Sequence, residues 1–266
     1  MAINRIKWWN KPIENLDKNK DKRCVIVLPI YTLCINEFED SSMRQLINIC
    51  GDKYNIVLLH PSKIEPNSLR ETYNYNFSSV EINNEFFKSQ KTYSDMCMKE
   101  EFYALFSEFE YMLIYQLDAW IFADKIDYFC DMGYDYYGAP HIWSGNNAKI
   151  GNGGFSLRKI SALITACKTD FSSEILLEDR VLTEKYKGLK VCPLNIAIEF
   201  SWQDNPSKAM QLNNNKFPMG AHALFRFKTF WENYLPIVNK WKYKVGGSAA
   251  NTATPYVRQP LETFLL

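Results

Sequence analysis

The sequence predicts an α/β fold, because a buried strand, an amphipathic helix and a second buried strand follow one another between residues 24 and 60. The run CVIVLPIY at 24–31 is rich in β-branched residues, which is typical of a strand buried on both faces. The run YNIVLLH at 54–60 has the same character. Two such strands joined by a helix predict a βαβ unit, a parallel pair with a right-handed crossover.

The predicted connecting helix has a clear period. Its apolar residues stand at i, i+3, i+4 and i+7 from Met43 to Cys50. Gly51 follows directly and is expected to end the helix. The next regular segments are a helix over 93–109 and a short buried strand, YMLIY, at 111–115.

After this strand the pattern changes to short strands and glycine-rich turns. The strings that carry it are GYDYYGAP at 133–140 and GNGGFSLR at 151–158, and a helix is predicted over 159–168. No internal repeat is visible, and residues from 245 onward are small, polar and linker-like. We therefore expect one domain, 24–244, with an N-terminal arm (1–23), a tail (245–266), and an irregular second half that completes the site.

Composition and charge exclude several function classes. With 31 basic and 30 acidic residues the net charge is +1, without the basic surplus of an electrostatic nucleic-acid binder. Seven scattered cysteines without a C-x-x-C pair indicate reduced thiols, and three histidines exclude a histidine-rich metal cluster. The longest apolar run, 24–35, is too short for a transmembrane helix. These features predict a cytoplasmic protein; the Lys/Trp-rich start could contact a membrane surface or pack on the domain.

Asp118 directly follows the predicted strand at 111–115. Ligands of open α/β sheets bind beyond the carboxyl ends of strands, and a carboxylate there suits a hard cation that bridges phosphates. Gln116 and Asp124 could share the task. The alternative is an acid that caps a helix or lies in a surface turn.

The string GNGGFSLR allows close approach of a ligand to the backbone, and its Asn152 offers both an amide donor and an acceptor. The alternative is a tight hairpin that needs positive φ. It is not a dinucleotide fingerprint, because Ser156 replaces the last glycine, and no G-K-[ST] sequence exists for a P-loop.

Two further features carry candidate chemistry. Glu178 and Asp179 lie at a predicted helix start, where at most one would face a substrate as general base; the alternative is an acid pair that suits the helix dipole. His222 lies in the apolar string FPMGAHALF, either as a hydrogen-bonded core residue or as a metal ligand. His60 and His141 carry weaker versions of the same ambiguity.

Taken in order, these strings resemble a family of bacterial and viral glycosyltransferase-like proteins of surface-polysaccharide loci. The matching stretches are 111–122, 133–140, 151–159, 178–179 and 217–223. The resemblance implies a GT-A-like single domain, with a mostly parallel central sheet flanked by helices. Residues 24–115 would form the nucleotide-binding half, and 116–244 an irregular donor-sugar and acceptor half.

More distantly, the order of motifs looks like that of inverting galactosyltransferases. This implies that Asp118 holds a divalent cation (Mn or Mg) and the diphosphate, Asp179 is the likelier base, and His222 is a further metal ligand. The chain departs from the Asp-x-Asp motif, because Gln116 stands in place of the first acid. By the same resemblance Pro29 and Tyr31 lie where such enzymes hold the nucleotide, and Gly153 and Gly154 lie against the donor sugar or the acceptor. The alternative for Tyr31 is an aromatic of the core at the end of the strand. Asn152 is a further candidate for donor binding, and Trp120, Trp143 and Trp202 could stack on sugars or belong to the core.

The expected activity is transfer of a hexosyl or pentosyl group from a nucleotide sugar to a hydroxyl of a glycan or glycolipid, with inversion. The expected location is the cytoplasm, either free or at the inner face of the membrane. The alternative is a nucleotide-sugar- or carbohydrate-binding protein of the same fold without catalysis. A metal-dependent phosphoesterase would need more clustered histidines and aspartates than this chain provides.

Overall fold

The computed structural model describes residues 12–142, 148–171, 174 and 176–242, and its centre is a six-stranded sheet in the order β3-β2-β1-β4-β9-β6. Strands β1 to β4 are parallel to one another, and β9 runs antiparallel to both β4 and β6. The strands of this sheet are β1 (Asp21–Pro29), β2 (Tyr54–His60), β3 (Ser78–Glu81), β4 (Tyr111–Tyr115), β6 (Tyr136–Tyr137) and β9 (Phe155–Lys159).

Two smaller sheets complete the strand content of the described residues. Three strands in the order β10-β11-β5 form one, and a β7-β8 pair forms the other. Their bounds are β5 (Ala119–Ile121), β7 (Pro140–His141), β8 (Lys149–Ile150), β10 (Ser201–Trp202) and β11 (Gly220–His222). The central sheet takes β9 and β6 from the second half of the chain, so the two predicted halves share one sheet.

The helices lie between these strands. In chain order they are α1 (Glu37–Cys50), α2 (Pro66–Tyr73), α3 (Gln90–Cys97), α4 (Glu100–Ala104), α5 (Ile126–Asp131), α6 (Ile160–Ala166), α7 (Glu178–Arg180), α8 (Leu194–Phe200), α9 (Pro206–Leu212) and α10 (Lys228–Trp231). Short 3₁₀ helices occupy Asn84–Phe87, Leu224–Phe227 and Pro236–Lys240, and one π-helical turn occupies Val181–Lys185.

The central sheet is buried on both faces, as the sequence predicts for a parallel sheet. Alternate residues of β1 enter two different cores, with Cys24, Ile26 and Leu28 on one face and Val25 and Val27 on the other. Burial on both faces explains why β1 and β2 appear in the sequence as continuous apolar runs.

The predicted βαβ unit is confirmed, and the structure adds its details. Helix α1 begins at Glu37, before its apolar period, because Asn36 and Glu39 form a capping box at its first turn. Gly51 ends it with an ordinary right-handed φ of −63°. A Cβ at Gly51 would lie 2.9 Å from the Tyr75 ring, so a close contact rather than a left-handed turn favours glycine there.

The single helix expected over 93–109 is wrong. The segment contains α3 and α4 with a break between them, and a turn follows. The Tyr103 hydroxyl donates to the Cys97 carbonyl at 2.9 Å, and this satisfies an oxygen that a continuous helix would give to residue 101. Burial of Phe102 and Tyr103 beneath the sheet therefore decides the break.

Within the described residues no helix is both long and apolar enough to cross a bilayer. The Trp-rich start, Trp143 and the tail from 245 fall outside the described residues.

Candidate active site

Three chain segments meet where β4 ends. The backbone N–H of Gln116 donates to the Gly154 carbonyl at 2.8 Å, which joins the end of β4 to the glycine loop, residues 151–154. Strand β5 begins at Ala119 and pairs with β11 so that His222 lies opposite Ala119. Asp118 is thereby held between the glycine loop and the end of β11, at the carboxyl edge of the sheet where ligands of α/β folds bind.

Asp118 and His222 are in direct contact. The imidazole Nε2 lies 3.1 Å from Asp118 Oδ1 and 3.2 Å from Gln116 Oε1. The imidazole Nδ1 faces Gln203 Oε1 at 2.7 Å. Burial by itself would raise the pKa of Asp118, but the attraction and hydrogen bond of His222, together with the charge of Arg226, bring the pKa below its usual value. Asp118 is therefore ionised at neutral pH.

This cluster fits a divalent cation bound in part by its substrate. Among the described residues no group of three or more His, Cys, Asp or Glu side chains converges. The donors that do converge are the Asp118 carboxylate, the Gln116 amide oxygen and the His222 imidazole. When His222 Nδ1–H donates to Gln203, its Nε2 lone pair faces two oxygens, and a cation between them would satisfy all three atoms. Mixed oxygen and nitrogen donors suit manganese, and further positions stay available for phosphate oxygens and water.

The glycine loop lies against this cluster because its glycines have no side chain. They do not adopt the left-handed backbone conformation that also favours glycine. Gly133 is the only described glycine with φ in the left-handed region; in the loop it is Asn152, at φ 125°, that has positive φ. A Cβ built on Gly154 would lie 2.0 Å from His222 Nε2, and one on Gly153 would lie 2.3 Å from Glu178 Oε1. Strand β8, which precedes the loop, pairs with β7. The glycine loop therefore does not form a tight hairpin, which was the alternative considered from the sequence.

Glu178 and Asp179 begin α7 and have different surroundings. Glu178 is buried and pairs with the fully buried Arg158 at 3.1 Å. Burial and the charge of Asp179 raise the pKa of Glu178, and Arg158 opposes that shift. Asp179 is half-buried, and its Oδ1 accepts the Arg180 backbone N–H at 2.8 Å. Glu178 thus packs against the glycine loop as a buried structural residue. Asp179 is the acid of the pair that remains accessible to solvent.

Glu178→Gln is expected to destabilise the fold by about 3 kcal/mol, because it leaves the Arg158 guanidinium buried without its counter-charge. Thermal unfolding should show a fall in Tm of roughly 6–12 °C. Glu108→Gln is the matched control, since Glu108 pairs with Lys22 at 3.3 Å on the surface and such pairs contribute about 0–1 kcal/mol. Equal Tm changes in the two variants would contradict this account of Arg158.

Two residues expected to contact the donor lie at or just beyond the carboxyl end of β1, the strand that pairs with β4. Pro29 ends β1, and Tyr31 follows it just beyond the strand. Burial, and then the charges of Asp118 and Glu39, raise the pKa of Tyr31. This is the position at which the sequence expected a nucleotide contact.

Other candidates lie elsewhere. Asp124 pairs with Lys53 at 3.7 Å and accepts a hydrogen bond from the backbone N–H of Ile126, the first residue of α5. It is therefore not placed to bind a cation together with Asp118. His60 is buried beside the Pro61 carbonyl. Trp202 is only 1% exposed and belongs to the core, which is one of the two roles that the sequence left open for it. Trp120 is half-buried against Phe38.

Sequence reasoning missed several residues of this region. Gln203 orients His222, and Arg226 is an exposed guanidinium close enough to lower the pKa of Asp118. Arg158 stands inside the string GNGGFSLR, but nothing in the string indicates that it is fully buried. His141 pairs with the buried Asp204 at 2.8 Å, and no periodicity or motif links these two positions.

Solved structures with a similar fold are glycosyltransferases. The galactosyltransferase LgtC, solved in complex with donor and acceptor sugar analogs, aligns with a TM-score of 0.55 and 13% identity over 83% of this chain and 97% of LgtC. An active-site mutant of LgtC aligns with a TM-score of 0.51 and 12% identity over 74% and 86%. GlyE of Streptococcus pneumoniae TIGR4 gives 0.48 and 16% over 83% and 63%. The fold is therefore GT-A-like, as expected: α/β, with a mixed but mostly parallel central sheet flanked by helices.

Sequence comparison supplies the family. No curated protein matches this sequence. The model of one family matches residues 76–222, which include β4, the glycine loop, α7 and His222. Because the match covers more than half of the chain, this protein is a member of the family described as protein of unknown function (DUF5672).

Proposed function

We propose that this protein transfers a hexosyl or pentosyl group from a nucleotide sugar to a hydroxyl of a glycan or glycolipid. The observation that carries the proposal is the convergence of Asp118, His222 and the glycine loop at the carboxyl edge of a glycosyltransferase-like fold. By the resemblance of its motifs, the reaction would belong to surface-polysaccharide or glycoconjugate synthesis at the cytoplasmic face of a membrane.

The diphosphate of the donor would bind beside Asp118 and His222. These side chains, with Gln116, would hold a divalent cation, which supplies charge neutralisation for the departing diphosphate. Arg226 adds a permanent positive charge within electrostatic reach of Asp118. A guanidinium binds phosphate oxygens in a bidentate manner, and here it would add positive charge for the diphosphate at a site where Gln116 leaves the cation one carboxylate ligand fewer.

The rest of the donor would lie along the glycine loop and β1. Gly153 and Gly154 leave no side chain between a sugar and the buried Glu178 or the half-buried His222. Pro29 and Tyr31, at the end of β1, would contact the nucleotide. Asn152 would face the sugar from the loop.

Asp179 would act as the general base. Its carboxylate forms no ion pair with any residue in the described part of the chain, and α7 packs against the glycine loop through Glu178. The acceptor oxygen would form a bond to the anomeric carbon while the bond from that carbon to the diphosphate oxygen breaks. The acceptor proton would move to Asp179, and attack from the face opposite the leaving group would invert the configuration.

Thermal unfolding with a panel of nucleoside diphosphates and nucleotide sugars, each with and without Mn²⁺, tests the donor site. A ligand at about 100 times its dissociation constant adds about 2.7 kcal/mol, which is a Tm shift of roughly 5–10 °C for a chain of this size. We expect this shift with one nucleotide family, larger with Mn²⁺, and lost in Asp118→Asn. Asp52→Asn, an exposed change before β2, is the matched control. No shift with any nucleotide would overturn the proposal.

The second candidate is a nucleotide-sugar-binding protein without catalysis. Gln116 favours it, since this amide stands where an Asp-x-Asp motif would have its first acid. It predicts the same thermal shifts but no release of nucleoside diphosphate from any donor, with or without a glycan acceptor. The two candidates therefore separate on product formation and not on binding.

A further inference from the structure

A second histidine, His141, lies at the other end of the glycine loop from His222. It belongs to β7, and its Nδ1 lies 2.8 Å from Oδ2 of Asp204, a residue only 2% exposed. Its Nε2 is buried and has no hydrogen-bond partner among the residues that the structure describes. A buried polar atom without a partner costs about 1–3 kcal/mol, so an atom of this kind is available to a bound ligand.

The two histidines are held in the same way. Gln203 contacts Nδ1 of His222, and the next residue, Asp204, contacts Nδ1 of His141. In both cases Nε2 is directed at a glycine of the loop: a Cβ on Gly154 would lie 2.0 Å from Nε2 of His222, and one on Gly151 would lie 3.2 Å from Nε2 of His141. One dipeptide after β10 thus orients an imidazole at each end of the loop.

Asn152 supplies a second unpartnered atom next to Gly151. It is 2% exposed, and its Oδ1 accepts the Gly154 N–H at 2.7 Å. Its Nδ2 is buried without a partner in the described part of the chain. The residue adopts φ 125°, a strained value for a side chain other than glycine. The backbone strain and the unpartnered amide nitrogen thus both belong to Asn152, the one polar side chain of the glycine loop.

These two atoms have complementary hydrogen-bonding roles. When Nδ1–H of a neutral His141 donates to the Asp204 carboxylate, Nε2 is an acceptor for an O–H group. Asn152 Nδ2 is a donor to an oxygen. One acceptor and one donor on either side of Gly151 suit hydroxyl groups, which both donate and accept.

We propose that His141, held by Asp204, and Asn152 bind ring hydroxyls of the transferred sugar at the edge remote from the diphosphate. This rests on the proposed function. The cation-binding pair is at Gly154, and residues 151–154 span at most about 10–11 Å. That length matches a phosphate group and one sugar ring, so the Gly151 end lies where the far hydroxyls of the donor sugar would be. His141 and Asp204 then determine which sugar is accepted, and they do not affect nucleotide binding.

The test compares binding of a nucleotide sugar with binding of its nucleoside diphosphate, by calorimetry in the presence of Mn²⁺. The probes are the nucleotide sugar that gives the largest thermal shift in the panel above and the matching diphosphate. In His141→Gln and in Asp204→Asn we expect the Kd of the nucleotide sugar to rise about tenfold, the effect of one lost hydrogen bond of about 1.4 kcal/mol. The Kd of the diphosphate should stay within twofold, and Asp52→Asn should change neither.

Monodeoxy analogues of the donor sugar test the proposal on the wild-type chain, without any substitution in the protein. We expect one deoxy position to weaken wild-type binding about tenfold and to have no further effect in His141→Gln. Unchanged binding of the nucleotide sugar in both variants, an equal loss for both ligands, or a change confined to the acceptor KM would overturn the assignment. A wild-type chain that binds neither probe would instead contradict the proposed function itself.

Discussion

Asp179→Asn is expected to reduce sugar transfer by two to four orders of magnitude, the usual contribution of a general base. The amide retains the shape of the side chain and can still accept the Arg180 N–H, so α7 should keep its position. It has no basic carboxylate to receive the acceptor proton. Nucleotide-sugar binding should stay within twofold, because the proposed diphosphate contacts belong to Asp118, His222 and Arg226.

The measurement is steady-state transfer together with calorimetric binding of the donor. Asp52→Asn, the same chemical change on the exposed turn before β2, should leave both values unchanged. A variant that retains wild-type transfer would contradict the assignment of Asp179. A variant that also fails to bind the donor would place Asp179 in the binding site rather than in proton transfer.

Gly154→Ala is expected to abolish nucleotide binding. The added Cβ would lie 2.0 Å from Nε2 and 2.5 Å from Cε1 of His222, far inside van der Waals contact. The imidazole would have to leave its place between Gln203 and Asp118, and the cation-binding donors would separate. Overpacking of this kind costs about 1–3 kcal/mol, so a folded but inactive protein with a lower Tm is the expected result.

Gly133→Ala separates this effect from a general loss of stability. Gly133 has φ +66°, which is unfavourable for alanine, but a Cβ there meets no atom within 4 Å. This control should lower the Tm by a few degrees while the Mn²⁺-dependent shift with nucleotide is kept. Retention of that shift in Gly154→Ala would show that His222 does not need its present position for nucleotide binding.

The regular half of the fold could be predicted because its signals are local. Burial on both faces makes β1, β2 and β4 continuous apolar runs, and α1 has the helical period of its packed face. The break between α3 and α4 could not be predicted, because it depends on a hydrogen bond from Tyr103 to Cys97 in the folded core.

The site was predictable where a motif or a resemblance marks it. The order of the motifs predicts that Asp118 and His222 belong to one site. The pairing of β5 with β11 then brings the two side chains into contact. The pairs Arg158–Glu178 and His141–Asp204 join positions that are 20 and 63 residues apart without any local pattern. Sequence alone shows two ionisable residues in each case, and only the fold shows that they are in contact.

The most direct test of the account is an assay for coupled products with a donor labelled in its sugar, Mn²⁺ and a set of glycan acceptors. We expect nucleoside diphosphate and labelled glycan to form in equal amounts with the wild-type chain and with Asp52→Asn, and neither product to form with Asp118→Asn. Donor binding without any release of nucleoside diphosphate would contradict catalysis and favour the binding protein. Cleavage of the donor to nucleoside monophosphate and labelled sugar phosphate, without an acceptor and faster than transfer, would contradict glycosyl transfer and indicate a phosphoesterase.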